Sequence, residues 1–357
     1  MRRGSFLELY ISTFLLIFTG SLWSSTDLHL NPNDTLEAHG ISVLLFHNRY
    51  HKVFGDQKMS GVEIILHDQR IATNGDVRLS ATPAQWHPIP DFEARRRGAS
   101  AGEVVALCRY PDRGLKYRID VRPESGGFRI AVQLDDPLPP ELAGKAGLNL
   151  EFVPDLYFGK SFITRGATGI FPRHPDGPME KATTGSAQPM PLDKGNSIVL
   201  SPEDPLTRVS INSESGPILL FDGRNQAQHG WFVVRTLLPA GKTGDVVVWH
   251  VKLNVVPGWS RRPVIGYNQV GYTPEREKVA VIELDPILDA PKTARLLRLT
   301  PEGDWHEAFT GPVARWGKWM RYEYANFDFS GVREPGIYEI EYAGQRIDPF
   351  RIATNVC

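Results

Sequence analysis

At 357 residues the chain is too long for one ordinary domain and suits two. Its 41% hydrophobic and 23% charged residues describe a folded globular protein and exclude a disordered one. With 40 Lys and Arg against 41 Asp and Glu, the net charge of −1 leaves no basic excess for nucleic acid or an anionic membrane surface.

Residues 1–25 read as a secretory signal peptide. Arg2 and Arg3 supply a positive start, Ile11 to Trp23 an apolar stretch too short to span a bilayer comfortably, and Thr19-Gly-Ser21 a small-residue cleavage site. Glu8 is atypical of such a leader, and an uncleaved anchor is the alternative. The expected location is secreted or periplasmic, with no membrane contact beyond the leader.

Residues 28–256 form the first expected domain. Ile41 to Phe46 and Gly61 to His67 read as strands, and Asn74-Gly75 between two short apolar runs reads as a hairpin turn. His47 and His51, four apart and followed by Asp56, would share a metal ion only on a helix, which the preceding strand argues against. No metal and no cofactor are expected. Trp86, in Gln85-Trp-His-Pro88, is a candidate exposed aromatic, and Arg95-Arg-Arg97 reads as part of a solvated loop.

Further on, Val104 to Cys108 is strand-like and makes Cys108 a buried thiol. A disulfide to Cys357 is the less favoured alternative. Tyr117, Ile119 and Val121 alternate with polar residues, as do Phe128, Ile130, Val132 and Leu134, and then Val247, Trp249, Val251, Leu253 and Val255. Period two puts one strand face on a core and the other in water. Between these runs, Thr164 to Asn196 is rich in Gly, Pro and Thr and reads as a long functional or disordered loop. No capped amphipathic helix follows the leader. The chain is expected to be all-β, beginning with a large antiparallel β-sandwich whose size is similar to the supersandwich modules of some carbohydrate-active enzymes.

Residues 257–263, with two prolines and a glycine, read as a linker that sets off a second domain over 264–354. Trp259 there is a candidate exposed aromatic. Short, turn-punctuated strands at Lys278 to Leu284, Thr293 to Leu299 and Gly336 to Tyr342 suggest an immunoglobulin-like sandwich of about seven strands. Tyr338, Ile340 and Tyr342 should face its core while Glu339 and Glu341 face water. Tyr322 and Tyr324, at strand spacing, should also fill the core, whereas Trp316 and Trp319 are candidates for sugar contact or for an interface.

Asn268-Gln-Val-Gly-Tyr272, Phe327-Asp-Phe-Ser330, Glu334-Pro-Gly-Ile-Tyr338 and Gln345-Arg-Ile-Asp-Pro-Phe-Arg-Ile352 together resemble the Ig-like module that precedes the catalytic domain of family 9 glycoside hydrolases, the cellulase-type enzymes. Asp348 stands where Ser is often found before Pro-Phe. The resemblance covers about a quarter of the chain. It implies a polysaccharide-degrading lineage, an Ig-like fold, and an interface toward a helical (α/α)6 catalytic barrel.

It brings no catalytic residue. Inverting hydrolysis needs two carboxylates about 6.5–9.5 Å apart, and the family's Asp-Ala-Gly-Asp motif does not occur in the chain. The expectation is therefore a non-catalytic N-terminal region of a secreted enzyme, truncated before its barrel. A stand-alone carbohydrate-binding protein is the alternative, with Trp86, Trp316 and Trp319 as contacts. A third reading places an unrecognised catalytic site around His47, His51 and Asp76.

Overall fold

The computed structural model describes residues 27–46, 61–83, 88–181, 187–225, 230–319 and 321–356. Among these residues the chain is nearly all β, as the period-two patterns require, and the helical content consists of four single-turn 3-10 segments.

The first sandwich pairs two antiparallel sheets, each of nine strands among the described residues. One centres on Gln69–Arg78, Gly147–Phe152 and Phe232–Leu237; the other centres on Gly244–Leu253, Gly127–Leu134 and Leu115–Glu124. One continuous core joins them, with Ile64, Val77, Leu150 and Val234 from the first sheet and Ile119, Ile130, Trp249 and Val251 from the second. The Trp249 indole N–H donates across this core to Thr236 Oγ1 at 3.0 Å, and the Tyr117 hydroxyl donates to Asp76 Oδ1 at 2.7 Å. Such cross-sheet bonds satisfy polar groups that would otherwise be buried without partners. Val246 and Val247 both reach the core because a bulge between Asp245 and Val247 inserts one residue into the alternation.

The structure departs from the sequence pattern at several places. Asn74-Gly75 is not a hairpin turn. It lies inside the strand Gln69–Arg78, where Gly75 pairs with Val62 and the register shifts. The turn before that strand is His67-Asp68, both at positive φ (50° and 64°), the signature of a type I′ hairpin. Arg95-Arg-Arg97 belongs to the edge strand Asp91–Arg97 and not to a loop. Arg95 Nη1 donates to the Phe46 carbonyl at 3.1 Å and Arg97 Nε to Asp34 at 2.8 Å, tying the edges of the two sheets together. The Gly/Pro-rich stretch 164–196 is likewise no structureless loop. It carries Ala167–Ile170, the pair Met179–Lys181 and Ala187–Pro189, and Pro191–Gly195, and so passes from one sheet to the other. Short strands of three to five residues give too few alternations for the period to show.

The second sandwich has eight strands among the described residues: β1 (Val264–Gly266), β2 (Val279–Leu284), β3 (Thr293–Leu299), β4 (Trp305–Trp319), β5 (Tyr322–Asp328), β6 (Gly336–Tyr342), β7 (Gln345–Arg346) and β8 (Phe350–Ile352). Their order is β1-β2-β5-β4-β3-β6-β7, with β8 also on β6. The 15-residue β4 closes the curl: its first half pairs with β3 and its second half with β5. A separate core of Ile282, Leu296, Phe327, Phe329, Tyr338, Ile340, Tyr342 and Phe350 fills the interior. Tyr338, Ile340 and Tyr342 face inward as their alternation predicts. Gly271 takes φ +116°, and a side chain there would put its Cβ 2.5 Å from the Arg351 carbonyl oxygen. The backbone approach beside β8 thus demands glycine at this motif position.

Candidate functional site

The outer face of β2, β5 and β4 carries the site. Strand pairing sets Val281 opposite Asn326 and Glu283 opposite Tyr324. Ala280, Ile282, Ala325 and Phe327 point into the core, so their neighbours Val281, Glu283, Tyr324 and Asn326 point out. Trp316 and Trp319 are three apart, a spacing that a regular strand splits between its two faces. A bulge in β4 removes the conflict: Arg315 pairs with Ala325 and Gly317 with Tyr324, leaving Trp316 as the extra residue. Gly317 takes φ +146°, a conformation that side-chain-bearing residues rarely adopt. Both indoles consequently flank Tyr324, at ring-centroid distances of 6.3 Å for Trp316 and 6.2 Å for Trp319, in edge-on arrangements.

The result is an open cleft of about 430 Å³ lined by Val281, Trp316, Trp319, Tyr324 and Asn326. Trp316 is 65% exposed and Trp319 57%, large values for indole side chains. Cleft volume and aromatic lining fall in the range of small-ligand sites. Two carboxylates beside the cleft are engaged by partners. Arg315 donates to Glu323 at 2.6 Å, and Glu283 accepts both the Tyr324 hydroxyl at 2.5 Å and Arg261. Burial and the bond to the Glu283 carboxylate push the Tyr324 phenol up to about 12, so it stays protonated at neutral pH. The lining is thus uncharged and largely apolar, with Asn326 and the Tyr324 hydroxyl as its polar groups.

Of the residues singled out from sequence, the structure brings Trp316 and Trp319 together. Trp86, His47, His51 and Asp56 lie outside the described residues, as does Cys357; Cys108 is a free, buried thiol. Asp76 is fully buried, accepting bonds from Tyr117 and from the Val77 N–H and pairing with Arg78 at 3.3 Å, which is structural work. Tyr322 and Tyr324 do not fill the core, contrary to their strand spacing: pairing with outward-facing Trp319 and Glu283 turns them out. Trp259 is not free either, being packed on His39 and His67. Among the described residues no cluster of three His, Cys, Asp or Glu side chains fits a metal ion, and no helix is long and apolar enough to cross a membrane.

Residues 260–346 match the family of the cellulase N-terminal Ig-like domain. Among solved structures, similarity extends to a metagenome-derived family 9 endoglucanase, 26% identical over 26% of this chain and 18% of that one, with a TM-score of 0.22. A family 9 glycoside hydrolase of Bacteroides ovatus is 27% identical over 25% of this chain and 15% of that one, with a TM-score of 0.20. The chain spans less than a fifth of the length of each. No curated protein sequence matches it.

Proposed function

We propose that this chain is a non-catalytic, exported β-sheet region serving a family 9-type, cellulase-like breakdown of polysaccharide, and that the Trp316–Trp319 cleft is its contact face for the glycan. The match of residues 260–346 to the cellulase N-terminal Ig-like domain supports the cellulase-like context. The uncharged lining supports the glycan contact. A neutral pyranose presents a C–H face to an aromatic ring and hydroxyls to an amide and a phenol, and Val281, Trp316, Trp319, Tyr324 and Asn326 offer that combination without a charge to desolvate.

The purified chain should release no reducing sugar from soluble β-glucan, while binding cello-oligosaccharide with an affinity that Trp316→Ala lowers by about tenfold or more. Hydrolysis by the chain alone would overturn the non-catalytic reading.

A second reading assigns the same face to a helical catalytic domain, and the exposure of two indoles on one sheet face favours it, since such patches mark interfaces. Association with a separately produced family 9 barrel, followed by sedimentation and lost in Trp316→Ala, would select this reading over glycan contact.

A further inference from the structure

Residues 254–263 connect the two sandwiches, and they are clamped at both ends. Asp285, buried in the turn after β2, accepts N–H bonds from Arg261 at 2.9 Å and Ile287 at 3.1 Å, and faces His39 Nε2 of the first sandwich at 3.0 Å. Arg261 donates to Asp68 at 2.5 Å and to Glu283, and its guanidinium lies 4.6 Å from the centre of the Tyr322 ring. These contacts tie Arg261 to both sandwiches by charge, through Asp285 and Glu283 of the second and Asp68 of the first.

The near end is held differently. The Trp259 ring sits between His39 and His67, with centroids 5.6 and 5.1 Å away. His67 Nδ1 lies 2.9 Å from the Leu206 carbonyl, which can only accept, and Nε2 lies 3.1 Å from the Val256 N–H, which can only donate. The two bonds together require the neutral Nδ1–H tautomer. An imidazolium would set an N–H against the N–H of Val256, breaking the bond and burying a charge.

We propose that His67 is an acid-sensitive latch on the connection between the sandwiches: its neutral form pins Val256 and seats Trp259, and its protonation releases residues 254–259 while the charged clamp at Asp285 and Arg261 persists.

The groups around His67 are consistent with this direction. Burial disfavours the imidazolium and lowers the His67 value on balance; the bond to the Leu206 carbonyl and the Asp204 charge oppose it, and the nearby His39 adds to it. Asp204 is itself engaged by Lys160 at 2.5 Å, and Asp68 on the same turn by Arg261. Since His67 has a folded value below its ordinary 6.5, the stability it contributes is complete above that value and is lost as pH falls toward the folded one.

The test is amide hydrogen exchange at Val256 in the full chain between about pH 8 and about pH 5, corrected for intrinsic exchange and read beside ring-nitrogen NMR of His67. Val256 protection should fall by about fivefold or more as His67 titrates, while the Arg261 amide, held by Asp285, keeps its protection. His39→Ala should retain the response, and His67→Asn, which tolerates the positive φ of this turn position, should abolish it. Titration of His67 with no change at Val256, or an equal loss at Val256 and Arg261, would overturn the latch; both readings come from the unmodified chain and survive a variant that fails to fold.

Discussion

The two faces of β2 and β5 share one backbone and have opposite fates. Inward, Ala280, Ile282, Ala325 and Phe327 are buried against the second core; outward, Val281, Tyr324 and Asn326 line an open cleft with Trp316 and Trp319. The inner face spends its apolar area on folding. On the outer face, two indoles remain exposed to water, which burial alone would never select. Stability and recognition are therefore separable along the same strands, residue by residue.

The largest effect should come from the inner face. Phe327→Ala removes a fully buried ring and should cost about 3–5 kcal/mol in chemical denaturation. A smaller value would mean that the face is less consolidated than its packing implies. Next comes the bulge: Gly317→Val forces a β-branched residue into φ +146° and should cost about 1–3 kcal/mol while swinging Trp319 away from Trp316. Retained stability together with lost ligand binding would sharpen the division between the faces.

Tyr324→Phe should have a smaller effect, about 0.5–1.5 kcal/mol, since Glu283 keeps Arg261 as a partner. Its pH signature is specific. With the folded phenol near 12 against an ordinary 10, the stabilisation is whole below the ordinary value and lost as pH rises through the folded one, so wild type and Tyr324→Phe should converge in strongly alkaline unfolding curves. Trp316→Ala should change stability least, within about 0.5 kcal/mol, because its indole is mostly in water.

Much of the inner face was legible in the amino-acid sequence. Tyr338, Ile340 and Tyr342 alternate with Glu339 and Glu341, and a period of two has only one burial solution when one side is charged. The Val247–Leu253 run was readable on the same ground, and Cys108 from its place in the apolar, strand-like run Val104 to Cys108. The outer face was legible only in part. Trp316 and Trp319 stood out as aromatics, but their spacing of three carries no face assignment without the bulge, and Gly317 was its sole local signal. Val281, Tyr324 and Asn326 reach the cleft through pairing between strands about 40 residues apart in sequence, and long-range register leaves no trace in a local pattern. For the same reason, the packing of Trp259 between His39 and His67 was hidden behind a stretch whose prolines read only as a spacer.

The most direct test of the separation is a paired measurement on Trp316→Ala and the wild-type chain: unfolding free energy by denaturant, and affinity for cello-oligosaccharide by titration calorimetry. Unchanged stability with affinity reduced by about tenfold or more is the predicted result. Lost stability, or wild-type binding that persists without the indole, would contradict it.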